Sequence, residues 1–273
     1  MFTLWIALIA PTLAQEAGEE EFGFGDFELD LDDFDLDDND GPGSMTYSGG
    51  HTERTEDLKE NAAVTITHYG GPIRVRCIDQ PHVSARIDFE LEGTSEANLQ
   101  AVGNGIRLQA SGSEGWAKVS SIVPGKRSGI SDMDVPMTVS TPKKVRLTIA
   151  GRDGEISVDG CTGTVKASTS KGGATVGGTF SQFDVRAGDG EVYVRLDEGS
   201  VIEKSSGATA SRGKVELIMP LTVDVKLQAT GAEVSVLHTV TGTNNPTNVS
   251  GAIGNGGPLV KLYGKDGVSV SSP

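Results

Sequence analysis

Asp153, Asp189 and Asp266 each stand directly before a turn glycine, and carboxylates repeated in this way invite a chemical reading. Stacked in a row, they would resemble the acids of repetitive enzymes that cut polysaccharides. Glycosidic cleavage needs two carboxyl groups about 5–10 Å apart, one with its pKa raised by burial. Asp-Gly is also the ordinary composition of a tight turn, where the Asp side chain bonds its own backbone. The turn reading is preferred. The four histidines, His51, His68, His82 and His238, have no ligand spacing, and neither His-Glu-x-x-His nor paired Cys motifs occur. A Gly-x-Ser-x-Gly elbow, a phosphate loop and a dinucleotide fingerprint are also missing. The glycine cluster GNGGP (254–258) opens a strand, so it lacks the positive helix end that holds phosphate. DLDDNDG (35–41) fails as a calcium loop, because Leu36 falls at the first position and Tyr47 at the twelfth. Asn248-Val249-Ser250 is read as a chance glycosylation match. No metal and no cofactor are expected, and no enzymatic activity.

Cys77 and Cys161 are the two cysteines of the chain. Alternation in IRVRC points Cys77 inward with Ile73 and Val75, while Cys161 follows Gly160. The pair lies 84 residues apart, several coils along a simple rod, and a bridge needs Cα atoms within ~7 Å. They read as two buried small hydrophobes. A disulfide is the alternative that an oxidising compartment permits.

The elements that carry these residues repeat a phrase. RDGEISVDG (152–160) returns as GDGEVYVRLDEG (188–199) and as KDGVSVSSP (265–273), with looser echoes in GGPIRVRC (70–77) and TGAEVSVLH (230–238). Gly71, Gly154, Gly173, Gly190, Gly231 and Gly267 are the structural turns. From Gly154 to Gly190 the steps are 19 and 17 residues, and Gly267 lies 36 beyond Gly231. A drifting period of this length suits one coil of a solenoid, each coil sharing its core with its neighbours. The expected fold is therefore all-β, a single-domain parallel β-solenoid of about ten short coils. A sandwich of hairpins is the competing architecture, because Asp-Gly also makes antiparallel turns. One short helix is expected near 94–102, with Thr94 or Ser95 as N-cap and Gly103 as stop. The Ser/Gly-rich segment 111–132 is expected to be a surface loop.

Composition agrees with a turn-rich β chain: 36% hydrophobic, 5% aromatic and 37 glycines. The start, MFTLWIALIAPTLAQ, resembles a secretory signal over residues 1–14, although no basic residue precedes its apolar run. Residues 15–43 read as an acidic disordered linker, and 44–273 as the folded domain. Residues 16–40 hold 13 of the 38 acids, which leaves the body nearly neutral against 23 bases. The linker is a solvated spacer or, alternatively, a docking strip of interleaved aromatics and carboxylates. No basic patch in the sequence recommends nucleic acid, and no stretch after the signal is long enough to span a bilayer.

Residues 133–163, MDVPMTVSTPKKVRLTIAGRDGEISVDGCTG, resemble the core signature of bacterial "putative adhesin" domains of unknown function. GKVELIMPLTVDVKLQATGAEVSV (213–236) resembles the later unit of that family, GNGGPLVKLYGKDGVSV (254–270) its closing unit, and NAAVTITHYGGPIRVRC (61–77) its start. The resemblance implies an exported β-solenoid of the envelope or cell surface and transfers no catalytic residue. The expected function is a non-catalytic binding scaffold. Its outward residues Thr65, Thr67, Ser157, Lys166, Ser168, Tyr193 and Arg195 would meet an envelope or surface protein, a glycan or another copy of the chain. A self-assembling envelope element, stacking through unpaired terminal strands, is the second reading. A polysaccharide-cleaving enzyme using the Asp rows is the third.

Overall fold

Strict alternation of small aliphatic residues builds the strands. In Ala62–His68 positions 62, 64, 66 and 68 are buried, and in Ile73–Ile78 positions 73, 75 and 77 are. The structure, a computed structural model, describes residues 44–273. The export signal and acidic linker expected over 1–43 lie outside the described residues.

Strands β1 (Met45–Asp57), β2 (Ala62–His68), β3 (Ile73–Ile78) and β4 (His82–Gly93) precede the helix α1 (Glu96–Gly103). Next come β5 (Arg107–Ser113), β6 (Trp116–Ile122), β7 (Ile130–Asp134), β8 (Met137–Pro142) and β9 (Lys144–Gly151). The two longest follow, β10 (Ile156–Thr169) and β11 (Ala174–Asp189), and then β12 (Val192–Leu196), β13 (Ser206–Arg212) and β14 (Lys214–Ile218). The chain closes with β15 (Val225–Gly231), β16 (Val234–Val236), β17 (Val240–Asn245), β18 (Asn248–Ile253), β19 (Leu259–Gly264) and β20 (Gly267–Ser271).

All belong to one 20-stranded mixed sheet. Its ladders fall into two series. The first runs β5–β6–β2–β9–β10–β11–β13–β19–β15–β18–β17. The second runs β1–β4–β8–β3–β10–β11–β12–β14–β20–β16, with β7 also on β4. Only β10 and β11 serve both. Residues Ile156–Asp159 of β10 pair with β3, and Thr162–Ser168 pair with β9. The strand passes from one series to the other at Gly160, whose φ is +74°. Inward residues of both series form one continuous core, from Val64 to Val270, with Phe180 and Phe183 its largest fully buried side chains. Each aliphatic side chain buried there contributes roughly 1.5–3 kcal/mol against chain entropy.

The uniform parallel solenoid of about ten coils is not formed. Parallel ladders fill the middle, but β1–β4, β4–β7, β4–β8, β5–β6, β15–β18 and β17–β18 are antiparallel. The reason lies in the connections. Only Glu114-Gly115 joins β5 to β6, and only Pro246-Thr247 joins β17 to β18. A link that short holds two successive strands of the same series antiparallel, because the chain must turn straight back; links as short as Ala232-Glu233 and Lys265-Asp266 instead carry the chain from the first series to the second. The loop expected over 111–132 is corrected by the same hairpin: Ala117 and Val119 alternate inward and make β6 a strand. The expected helix is present as α1. Ser95 stands at its N-cap without a side-chain hydrogen bond, and Leu99 and Val102 are buried.

The glycine turns form a close stack. Gly154, Gly172, Gly190 and Gly213 have φ of +107°, +98°, +136° and +147°. A Cβ on Gly172 would come 2.5 Å from the Gly154 carbonyl oxygen, and one on Gly190 2.7 Å from the Gly172 carbonyl carbon. Gly71 lies against Gly154 in the same stack, and Gly231 against Gly264 and Gly267. Gly173 is displaced from it: its neighbour Gly172 takes the stacked position. Among the described residues no helix is long and apolar enough to cross a membrane.

Candidate binding faces

The seven outward residues singled out in the sequence fall on two different faces. Thr65, Thr67, Lys166 and Ser168 share the outer face of the first series. Thr148 of β9 sits between Thr65 and Lys166, and Ala150 between Thr67 and Ser168. Ser157, Tyr193 and Arg195 belong to the second series. There Thr175 of β11 separates Ser157 from Tyr193.

The first face is a flat lattice of short hydroxyls with evenly placed ammonium groups. Starting at Lys118 on β6, its central row passes through Thr65 and Thr148 to Lys166. It continues through Asp184 and Gly207 to Lys261 on β19. Each lysine is therefore three strands from the next, about 14 Å at the usual strand spacing. Flanking rows add Arg146 beside Thr164 and Arg186 beside Ser168. Trp116 and Tyr263 stand in those rows with 47% and 46% of their surface exposed. From β6 to β15 the outward ladder positions hold one carboxylate, Asp184, and Arg186 pairs with it at 3.0 Å. Lys118, Lys166 and Lys261 are exposed and have no ion-pair partner among the described residues. Sequence reading missed this gathering, because the lysines come from strands scattered over more than 140 residues. The only local signal was the outward phase of each lysine in its alternating strand.

The second face is balanced in charge. Arg195 bonds Asp197, just past the end of β12, at 2.9 Å and reaches Asp159 at 3.2 Å. That reach crosses Gly177, where a Cβ would lie 3.0 Å from the guanidinium. Further along, Arg86 pairs with Asp88 at 2.7 Å, beside a shallow groove of about 400 Å³ between β1 and β4. Ser48, Gly50, Glu90, Asp134 and Pro136 also line that groove. The ring of Phe89 fills the space that a side chain at Gly49 would need.

Two of the three Asp-Gly carboxylates are engaged. Arg152 donates to Asp153 at 2.7 Å and Lys171 pairs with the same carboxylate at 3.0 Å, and together they hold it below the usual carboxylate range. A general acid needs the opposite shift. Asp189 pairs with Arg212, and Asp266 is exposed. His68 is fully buried, with Nε2 2.7 Å from the Val135 carbonyl and Nδ1 2.6 Å from the Ser121 hydroxyl. Among the described residues no group of three or more His, Cys, Asp or Glu is placed to hold a metal ion.

Cys77 and Cys161 are joined in a disulfide with Cα atoms 4.8 Å apart. Their distance in sequence misleads because β3 and β10 are direct neighbours: Arg76 pairs with Asp159, and the crossing at Gly160 then brings Cys161 beside Cys77.

No family model matches the chain, and no curated protein matches it. Solved structures overlap it loosely. A putative cell adhesion protein from Clostridium sporogenes is 10% identical, covers 83% of this chain and 100% of its own, and gives a TM-score of 0.47. A putative adhesin from Bacteroides fragilis is 14% identical over 82% of this chain and 96% of its own, with a TM-score of 0.36. Another from Parabacteroides merdae is 8% identical over 85% and 97%, with a TM-score of 0.33. Overlap this loose transfers neither fold nor function.

Proposed function

We propose that the protein is a non-catalytic binding scaffold of the periplasm, outer envelope or cell surface, exported by residues 1–14, with the acidic segment 15–43 as a linker ahead of the folded domain. The observation that carries this reading is the outer face of the first series. Its side chains are held in register on a continuous hydrogen-bonded lattice. Such a surface can make many shallow polar contacts along its length. Asp153, the first candidate acid of the enzymatic reading, is held ionised by two cations. That favours the turn role of the Asp-Gly pairs.

Sedimentation of the full chain with purified envelopes of the producing cell tests the proposal. Binding is expected, and Lys166→Glu with Ser168→Glu should weaken it about tenfold while leaving the thermal midpoint within a degree or two. Envelope binding that ignores these changes would overturn the assignment to this face. Polysaccharide turnover that vanishes in Asp153→Asn would overturn the non-catalytic reading.

A further inference from the structure

We infer that the outer face of the first ladder series binds an extended anionic polysaccharide, one bearing uronate, sulfate or phosphate groups along its length. This rests on the binding-scaffold reading and narrows it to a ligand class.

Three features converge on that chemistry. The first is sign. Lys118, Lys166 and Lys261 are exposed and unpaired among the described residues, Arg146 flanks them, and the single carboxylate of the face, Asp184, is balanced by Arg186. The face is thus cationic in a chain whose formal net charge is −15. The second feature is periodicity. A row that crosses strands repeats every ~4.8 Å, close to the advance of one sugar in an extended chain. Lysines every third strand therefore meet a polymer whose charges also recur at fixed intervals. A partner recognised through buried anchors would need no such spacing of its charges. The third is the supporting chemistry. Thr65, Thr148, Thr67 and Ser168 supply hydroxyls that can both donate and accept, as sugar hydroxyls require. Trp116 and Tyr263, on strands six steps apart, expose rings on which pyranose faces can stack. The second series lacks this combination: Arg86 and Arg195 are neutralised by Asp88, Asp159 and Asp197.

The test uses the full chain and polygalacturonate as the probe, with uncharged dextran, anionic phosphatidylglycerol vesicles and a single-stranded oligonucleotide as comparisons. Polygalacturonate should bind at least about tenfold more tightly than dextran. Its binding should collapse near 1 M salt, where the screening length falls to ~3 Å. Lys118→Ser/Lys166→Ser/Lys261→Ser should weaken it about tenfold or more, and Trp116→Ala/Tyr263→Ala by several fold. Arg74→Ser/Arg76→Ser, on the other face, should change it less than about twofold. Circular dichroism and the thermal midpoint should stay unchanged, since all these side chains are exposed. Polygalacturonate binding that survives the triple change would overturn the inference. So would tighter binding of the vesicles or oligonucleotide through the same lysines. Dextran bound as well as polygalacturonate would also overturn it, yet leave the scaffold reading intact. Failure to bind envelopes at all would instead remove the scaffold reading.

Discussion

His68 shows how far a single residue could be read. It closes the inward series Ala62, Val64, Ile66, His68, so its burial was legible from alternation alone. Its partners were not, because Ser121 and Val135 come from distant strands and loops. The carbonyl of Val135 only accepts, so Nε2 carries the proton and Nδ1 accepts from the Ser121 hydroxyl. Burial pushes the pKa of this ring down from 6.5, outweighing the bond to Val135. The unfolded chain then binds the proton more readily than the folded one. Stability contributed by neutral His68 is present above 6.5 and is lost as pH falls toward the lowered folded value, by up to ~1.4 kcal/mol per pH unit. Thermal midpoints measured across that interval should fall with pH, and the fall should be smaller in His68→Gln. Equal slopes in the two proteins would remove His68 as the titrating group.

At the level of elements, the glycine phrase was legible as a turn but not as a stack. The sequence marks Gly173, whereas the backbone places Gly172 against Gly154 and under Gly190. Period alone cannot choose between adjacent glycines, since only the left-handed φ and the close approach distinguish them. Gly190→Ala should cost more than the ~1 kcal/mol of an ordinary glycine penalty, because φ there is +136° and the new Cβ meets backbone at 2.7 Å. Gly115→Ala, where a Cβ meets nothing within 4 Å, should be nearly neutral. Denaturant midpoints of the two variants check the contrast, and equal losses would contradict the stack. The strands 107–122 show the opposite limit. Ser- and Gly-rich composition suggested a loop, yet two inward residues, Ala117 and Val119, suffice when a neighbouring ladder completes the sheet. Composition understates strands whose stability comes from tertiary pairing.

Across the described chain, the all-β class was legible, and so was the inward phase of strands such as β2, β3, β10 and β12, where small aliphatics alternate; β1 and β17 carry no such pattern. Ladder direction was not. It depends on how long each connection is and on which partner remains open, and a repeat found in the middle says nothing about the ends. The same difficulty concealed the Cys77–Cys161 bond: 84 residues of sequence reduce to one strand spacing once β3 and β10 are paired. Closing a loop of that size restricts the unfolded chain, an effect of roughly 4–5 kcal/mol in the chain-entropy account. Cys77→Ser/Cys161→Ser should lower the denaturation free energy by a large part of that amount. Reductant should lower the midpoint of the native chain and leave the variant unmoved.

That covalent link also decides how the molecule would yield under tension. A pull entering at the N-terminal side first peels β1 from its antiparallel partner β4, pair by pair from Met45, and then reaches Cys77. There the load jumps to Cys161, a separation of 84 positions, and the residues between stay slack however hard the chain is drawn. Roughly 300 Å of contour length is thereby withheld. A single-molecule stretching trace should gain that extension only after reduction, so the oxidation state would set how far the chain can be drawn out.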